Sequence, residues 1–415
     1  MVKGKPFLSS KPRLAALVTA LSILLLMTIV APEPAHAQTY NVIYTFRFFL
    51  DGAQPYSGVT VKSNTLYGST HNGNEGVSWG DVYQLRHAGS GWLYTGLHLL
   101  DGTLESKPVF GPDNLLYGTS PNNISDLVNG YVYSLHPPIS AFCPTIRCPW
   151  VLSIPYAFQD GSDGKMPRAG TLLFDQAGNM YGTTSIGAAT NNGAVYKLTH
   201  SGSNWSEQTL YQFAGAPDGA NPYAGVIADS TGTLYGTTMQ GGQNNVGAVY
   251  KLTLNGGGYT ESVIYSFNSS TDGNSPHGGL VLDAAGNFYG TTTNGGPGGA
   301  GTVFELTPNG SGYNFRVIKS FSGAANCGPY ASLSMDSAGN LYGTTYCGGT
   351  FNSGNVFKLT RNGNDFNYTS LYDFTGGNDG AKPYSDVAFD PAGNMYGTTS
   401  HGGTDNSGVV WQIVP

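Results

Sequence analysis

Residues 247–253 (GAVYKLT) alternate apolar and polar positions with the period of two that marks a half-buried strand. Shorter runs of the same kind flank them. Residues 223–228 (YAGVIA) predict a strand, and Asp229-Ser230-Thr231-Gly232 predicts a tight turn, with Asp accepting backbone N–H groups and Gly supplying positive φ. Residues 233–238 (TLYGTT) predict a second strand. After 247–253, the run Asn255-Gly256-Gly257-Gly258 predicts a turn, and 262–267 (SVIYSF) a fourth strand. No segment carries a helical period with caps.

This unit recurs. Tyr67-Gly68-Ser69-Thr70 and Tyr117-Gly118-Thr119-Ser120 are followed by Tyr-Gly-Thr-Thr starting at Tyr181, Tyr235, Tyr289, Tyr342 and Tyr396, in steps of 50, 64, 54, 54, 53 and 54 residues. A second signature, Gly-x-Val-aromatic, also occurs seven times, ending in Tyr83, Tyr133, Tyr196, Tyr250, Phe304, Phe357 and Trp411. A fixed period of this size means units that cannot bury their own apolar faces and must stack on neighbours. Four antiparallel strands per period predict an all-β fold, a seven-bladed β-propeller. The fourth-strand run appears before the first repeat, as 41–46 (NVIYTF), and is missing after the last, where the chain reaches Pro415 past a third strand. The N-terminal strand is therefore expected to complete the last blade and close the ring, pairing 42–46 with 408–413.

The composite D-G-x-x-P, then D-x-x-G-N-x-Y-G-T-T, G-G and G-x-V-[FY]-[KE]-L-T resembles the GloVer tandem-repeat family of secreted bacterial proteins, of choice-of-anchor type. The resemblance covers the chain after its leader. In the first two repeats Val61-Lys62-Ser63-Asn64 and Gly111-Pro112-Asp113-Asn114 replace D-x-x-G-N. It implies a repeat scaffold outside the cytoplasm and brings no activity to carry over. Members of that family often bear a C-terminal anchor; none is read here, so a released rather than anchored protein is the expectation.

Composition adds an address. Lys3, Lys5, Lys11 and Arg13 precede an apolar run at 14–30 and the small-x-small site Ala35-His36-Ala37. Residues 1–37 read as a secretory signal peptide cut near Ala37, leaving 38–415 as one propeller domain, secreted or periplasmic, with no further membrane span. Without that leader, 14 Lys and Arg face 24 Asp and Glu, a net charge of about −10, which argues against a nucleic-acid partner. Four cysteines in an exported chain favour pairing: Cys143 with Cys148 and Cys327 with Cys347.

In a propeller blade the link from fourth to next first strand shares a face with the link from second to third. The Asp-Gly turns at Asp51, Asp101, Asp163, Asp218, Asp272 and Asp379 and the Gly-Gly loops at Gly241, Gly295, Gly348 and Gly402 should thus surround one channel mouth. After most of these turns comes Pro and then a large side chain with a polar tip: Tyr56, Arg168, Tyr223, His277, Tyr330 and Tyr384, with the second repeat departing from the pattern. These are candidate ligand-binding residues, able to stack on sugar rings; the competing role is a wedge between blades. Asp-Gly is ordinary turn chemistry, so neither a metal site nor a cofactor is read from the Asp ring. No catalytic signature such as His-Glu-x-x-His or Gly-x-Ser-x-Gly occurs. His71, His277 and His401 fall on the mouth face, and His277 and His401 are the candidate general bases. The functional expectation is a non-enzymatic binding protein for a glycan or protein partner. A propeller lyase or hydrolase and a structural envelope or matrix protein are the alternatives.

Overall fold

Seven four-stranded antiparallel sheets follow one another along the chain, and six of them run in chain order from the innermost strand outward. The structure is a computed structural model. It describes residues 38–72, 79–89, 91–122, 129–138, 149–168, 170–202 and 204–415, together with Met1 and Gly4. The leader at 1–37 and the expected Cys143–Cys148 pair lie outside the described residues. Blades 1 to 6 occupy 60–101, 109–157, 173–212, 227–266, 281–322 and 334–373. Blade 7 combines Ala388–Phe389, Met395–Thr399 and Val409–Val414 with the N-terminal strand Thr39–Thr45. That strand pairs from Thr39↔Val414 to Thr45↔Val409, with a register shift between Val42 and Tyr44, the closure expected from the displaced fourth strand. The protein is a seven-bladed β-propeller.

Strand bounds differ from expectation in two ways. The innermost strands are paired for two residues, or three in blade 1, as Ile227–Ala228 rather than 223–228, because the residues before them line the channel instead of joining a ladder. The outer hairpins are longer: Ala248–Asn255 turns through Gly256 and Gly257 straight into Gly258–Ser266. Both turn glycines have positive φ, so the four-residue loop expected there shrinks to two. One helical turn, Phe48–Asp51, leads from blade 7 to blade 1.

The two sequence signatures are halves of one packing unit. The glycine of each Tyr-Gly-Thr lies opposite the aromatic of its blade's Gly-x-Val-aromatic strand, as Gly236↔Tyr250 and Gly397↔Trp411. A Cβ on any of the seven glycines would come within 2.3–2.6 Å of that ring, so only Gly lets the aromatic lie across the strand. The hydroxyl that follows stitches blade to blade. Ser69, Thr119, Thr183, Thr237, Thr291, Thr344 and Thr398 each donate to a carbonyl in the segment leading into the next blade's innermost strand, at 2.8–3.1 Å. The core lies between blades. Tyr235 and Val249 of blade 4 pack with Leu280, Phe288 and Phe304 of blade 5, each such burial contributing about 1.5–3 kcal/mol.

Cys327 and Cys347 form a disulfide with Cα atoms 4.6 Å apart. Such a cross-link persists in an oxidising compartment, which suggests an extracellular or periplasmic protein. No described helix is long and apolar enough to cross a membrane.

Candidate functional site

The two loop sets do share a face. Antiparallel bridges join Ala53 to Asn72, Lys165 to Ile186, Gly219 to Gly241, Asn274 to Asn294 and Ala381 to His401. The turn aspartates are held within this lattice. Asp163, Asp218 and Asp379 accept from Tyr156, Tyr211 and Tyr372 at 3.0 Å and from a backbone N–H at 2.7–2.8 Å. Asp51 and Asp272 accept likewise from Tyr44 and Tyr265. Their carboxylates hold the corner of each blade rather than facing a common point. Among the described residues no group of three or more His, Cys, Asp or Glu side chains could hold a metal ion. The Asp-x-x-Gly-Asn turns are self-contained in the same way: Asp175 accepts from Asn179 and Tyr181, which hold its carboxyl low against the burial that would raise it.

Inside the mouth, Tyr56, Tyr223, His277, Tyr330 and Tyr384 line one cavity of about 150 Å³ together with Glu105. All are half-buried. Arg168 stands beside them, its guanidinium 4.9 Å from the Tyr223 ring. Glu105 is the residue that sequence reasoning missed. Repeat two is one residue shorter after its Asp-Gly turn, so counting forward from Asp101 lands on the wrong position. Counting back twelve residues from the Tyr-Gly motif gives Tyr223, His277, Tyr330 and Tyr384, and from Tyr117 gives Glu105. All seven blades therefore contribute to one belt.

The belt is continuous. Ring centroids lie 4.2 Å apart for Tyr223–His277, 5.2 Å for His277–Tyr330, 4.5 Å for Tyr330–Tyr384 and 5.0 Å for Tyr384–Tyr56. His71 completes the circle, 4.7 Å from the Tyr56 ring and 3.7 Å from Glu105 Oε1. Arg168 Nη1 meets the two Glu105 oxygens at 3.2 and 3.3 Å. Tyr346, also absent from the sequence-based set, packs edge-on against Tyr330 and Tyr384.

Electrostatics follow from this enclosure. Burial works against the Glu105 charge, but His71 and Arg168 outweigh it and hold the carboxyl low. Desolvation pulls His277 down to about 4, against the attraction of Glu105, so its ring is neutral at physiological pH. Nδ1 faces the Tyr330 carbonyl at 3.3 Å and must donate to it, leaving the Nε2 lone pair free. Burial raises Tyr56, Tyr223, Tyr330 and Tyr384, keeping them phenols that can donate hydrogen bonds. His401 stands apart from the belt. Its Nδ1 pairs with Ser400 Oγ at 2.9 Å, and burial with Lys382 lowers it.

Known structures resemble this one in fold. An ulvan lyase from a new family of polysaccharide lyases matches with TM-score 0.52 at 10% identity, covering 90% of this chain and 95% of that one. A putative 6-phosphogluconolactonase from Bacteroides uniformis matches with TM-score 0.50 at 12% identity, over 80% and 95% of the two chains. PorZ, a surface component of the type-IX secretion system of Porphyromonas gingivalis, matches with TM-score 0.51 at 13% identity, over 89% of this chain and 48% of PorZ. No curated protein matches the sequence. The sequence profile of the Gloeobacter/Verrucomicrobia repeat matches residues 106–328 and 262–415, and the chain belongs to that repeat family.

Proposed function

We propose that the channel mouth is a carbohydrate-binding site of an exported protein. The observation that carries this reading is the unbroken belt of four tyrosines and a neutral histidine around a 150 Å³ cavity. A cavity of that size holds one six-membered ring. Aromatic faces stack on the C–H faces of a sugar while phenol and imidazole tips meet its hydroxyls. The charges at the cavity are paired, Arg168 with Glu105 and Lys107 with Asp386. An anion would have to compete with a carboxylate already in place, so pairing favours an uncharged ligand. The apolar run at 14–30 and the disulfide support removal of residues 1–37 during export.

One observation favours a second reading, an eliminating enzyme. His277 offers a neutral imidazole with Nδ1 fixed and Nε2 free, the state a general base needs, beside tyrosines able to donate a proton. The fold likeness to a polysaccharide lyase is compatible with this.

A glycan array followed by calorimetry tests the first reading; retention of neutral oligosaccharides is expected. Incubation with uronate-containing polysaccharides, followed by ultraviolet absorbance of unsaturated products, tests the second. Absence of any retained glycan would remove the first reading, and absence of product the second.

A further inference from the structure

Among the described residues the belt leaves no lateral gap. From Tyr56 round to His71, each member touches the next, by ring packing at 4.2–5.2 Å or by the ion pairs of Glu105. Among the described residues a polymer laid across the belt finds no slot, whereas a groove that binds chain interiors needs two open ends. Access to the cavity runs along the channel axis.

Behind the belt lies a second layer, two residues further along the innermost strands. It is kept small by Gly58, Gly225, Gly279 and Ser332. Its charged members are Lys107 of blade 2 and Asp386 of blade 7, which form an ion pair over blade 1. Gly58 permits this crossing: a Cβ there would sit 1.8 Å from Asp386 Oδ1 and 3.4 Å from Lys107 Cδ. Both side chains keep about a fifth of their surface open, at 22% and 18%, and both line the cavity. Side by side they present ammonium donors and carboxylate acceptors, the complement of two adjacent sugar hydroxyls.

Resting on the carbohydrate reading, we infer that the site reads the end of a glycan chain rather than its interior. The terminal ring enters along the axis, its adjacent hydroxyls are shared between Asp386 and Lys107, and the rest of the chain leaves through the belt.

The test takes the glycans retained on an array and titrates the full chain with their oligomers, from monosaccharide to hexasaccharide. Affinity is expected to level off after the second unit, and saturation-transfer NMR to be strongest on a terminal ring. Asp386→Asn, and the double variant Lys107→Gln with Asp386→Asn, should each lower affinity about tenfold. The double variant leaves no unpaired charge, so it keeps the test valid if the single variant folds poorly. Affinity that climbs with every added unit, or saturation centred on internal rings, would overturn end recognition while leaving carbohydrate binding intact. Equal affinity in the double variant would overturn the role of the ion pair. If the array retains nothing, the carbohydrate reading falls and this inference with it.

Discussion

Thr398 Oγ1 donates to the carbonyl of Ser57 at 2.9 Å, joining residues 341 positions apart in sequence. It is the same stitch that ties every other blade to its successor, made here from the last blade to the first. The ring therefore closes twice over, by this bond and by the N-terminal strand in blade 7.

Deleting Thr39–Thr45 should lower stability by more than about 3 kcal/mol, since a whole strand of pairing and packing is lost. Thr398→Val should cost about 1 kcal/mol, the net worth of one hydrogen bond. Urea unfolding of both variants checks this; a deletion mutant with the wild-type midpoint would remove closure as a source of stability.

Gly236→Ala sets a Cβ 2.4 Å from Tyr250 Oη. Overpacking of this kind should cost about 1–3 kcal/mol. The Tyr250 hydroxyl is buried without a hydrogen-bond partner, and the equivalent side chain in blades 5 and 6 is Phe. Tyr250→Phe should therefore be neutral or stabilising. Denaturation midpoints decide; a loss above about 1 kcal/mol in Tyr250→Phe would mean that the hydroxyl is bonded.

Glu261 gives the pH dependence a definite sign. Burial, and then Asp218, push its carboxyl up from 4.5 to about 7. Between those values the folded state holds the proton more firmly than the unfolded chain, so this contribution is full at low pH and is lost as pH rises through 7. The group is partly exposed, and with solvent screening allowed for the loss is about 1 kcal/mol. Glu261→Gln should flatten stability between pH 5 and 8, as read from melting temperatures; an unchanged slope would place the titration elsewhere.

Legibility followed symmetry. Features that recur in every blade were open to reading from one sequence, because seven copies of Tyr-Gly followed by Ser or Thr, and seven of Gly-x-Val-aromatic, report one packing unit. Strand ends were not, since the short innermost pairing depends on the channel rather than on local pattern. At the site, Tyr223 and Tyr384 announced themselves by following Pro. Glu105 did not, because a single deletion shifted its count, and Lys107 and Asp386 meet only once blade 1 curves between them. Where blades differ, function and electrostatics differ too, and one sequence averages nothing.

Reduction of Cys327–Cys347 should cost about 3 kcal/mol, since it closes a loop of sequence separation 20. Non-reduced peptide mapping should find these two linked. Equal urea midpoints with and without reductant would show that blade 6 holds its loops without the bond.

Tyr330 and Tyr384 separate a ligand platform from a structural wedge. Replacing both with Ala should abolish glycan retention with a stability loss well below the roughly 3–5 kcal/mol of a buried aromatic. A collapse of the melting temperature would assign them to packing instead.

The register Thr39↔Val414 sets an order of events in biosynthesis. Blades 1 to 6 each consist of consecutive residues and can form as they emerge. The strand at 39–45 is made before all of them, yet its partner at 409–414 comes last. It must wait through the synthesis of six blades as an unclaimed edge. A chain cut before Val409 lacks that partner and leaves blade 7 with an unpaired strand edge. Ring closure thus depends on two strands from opposite ends of the propeller finding each other.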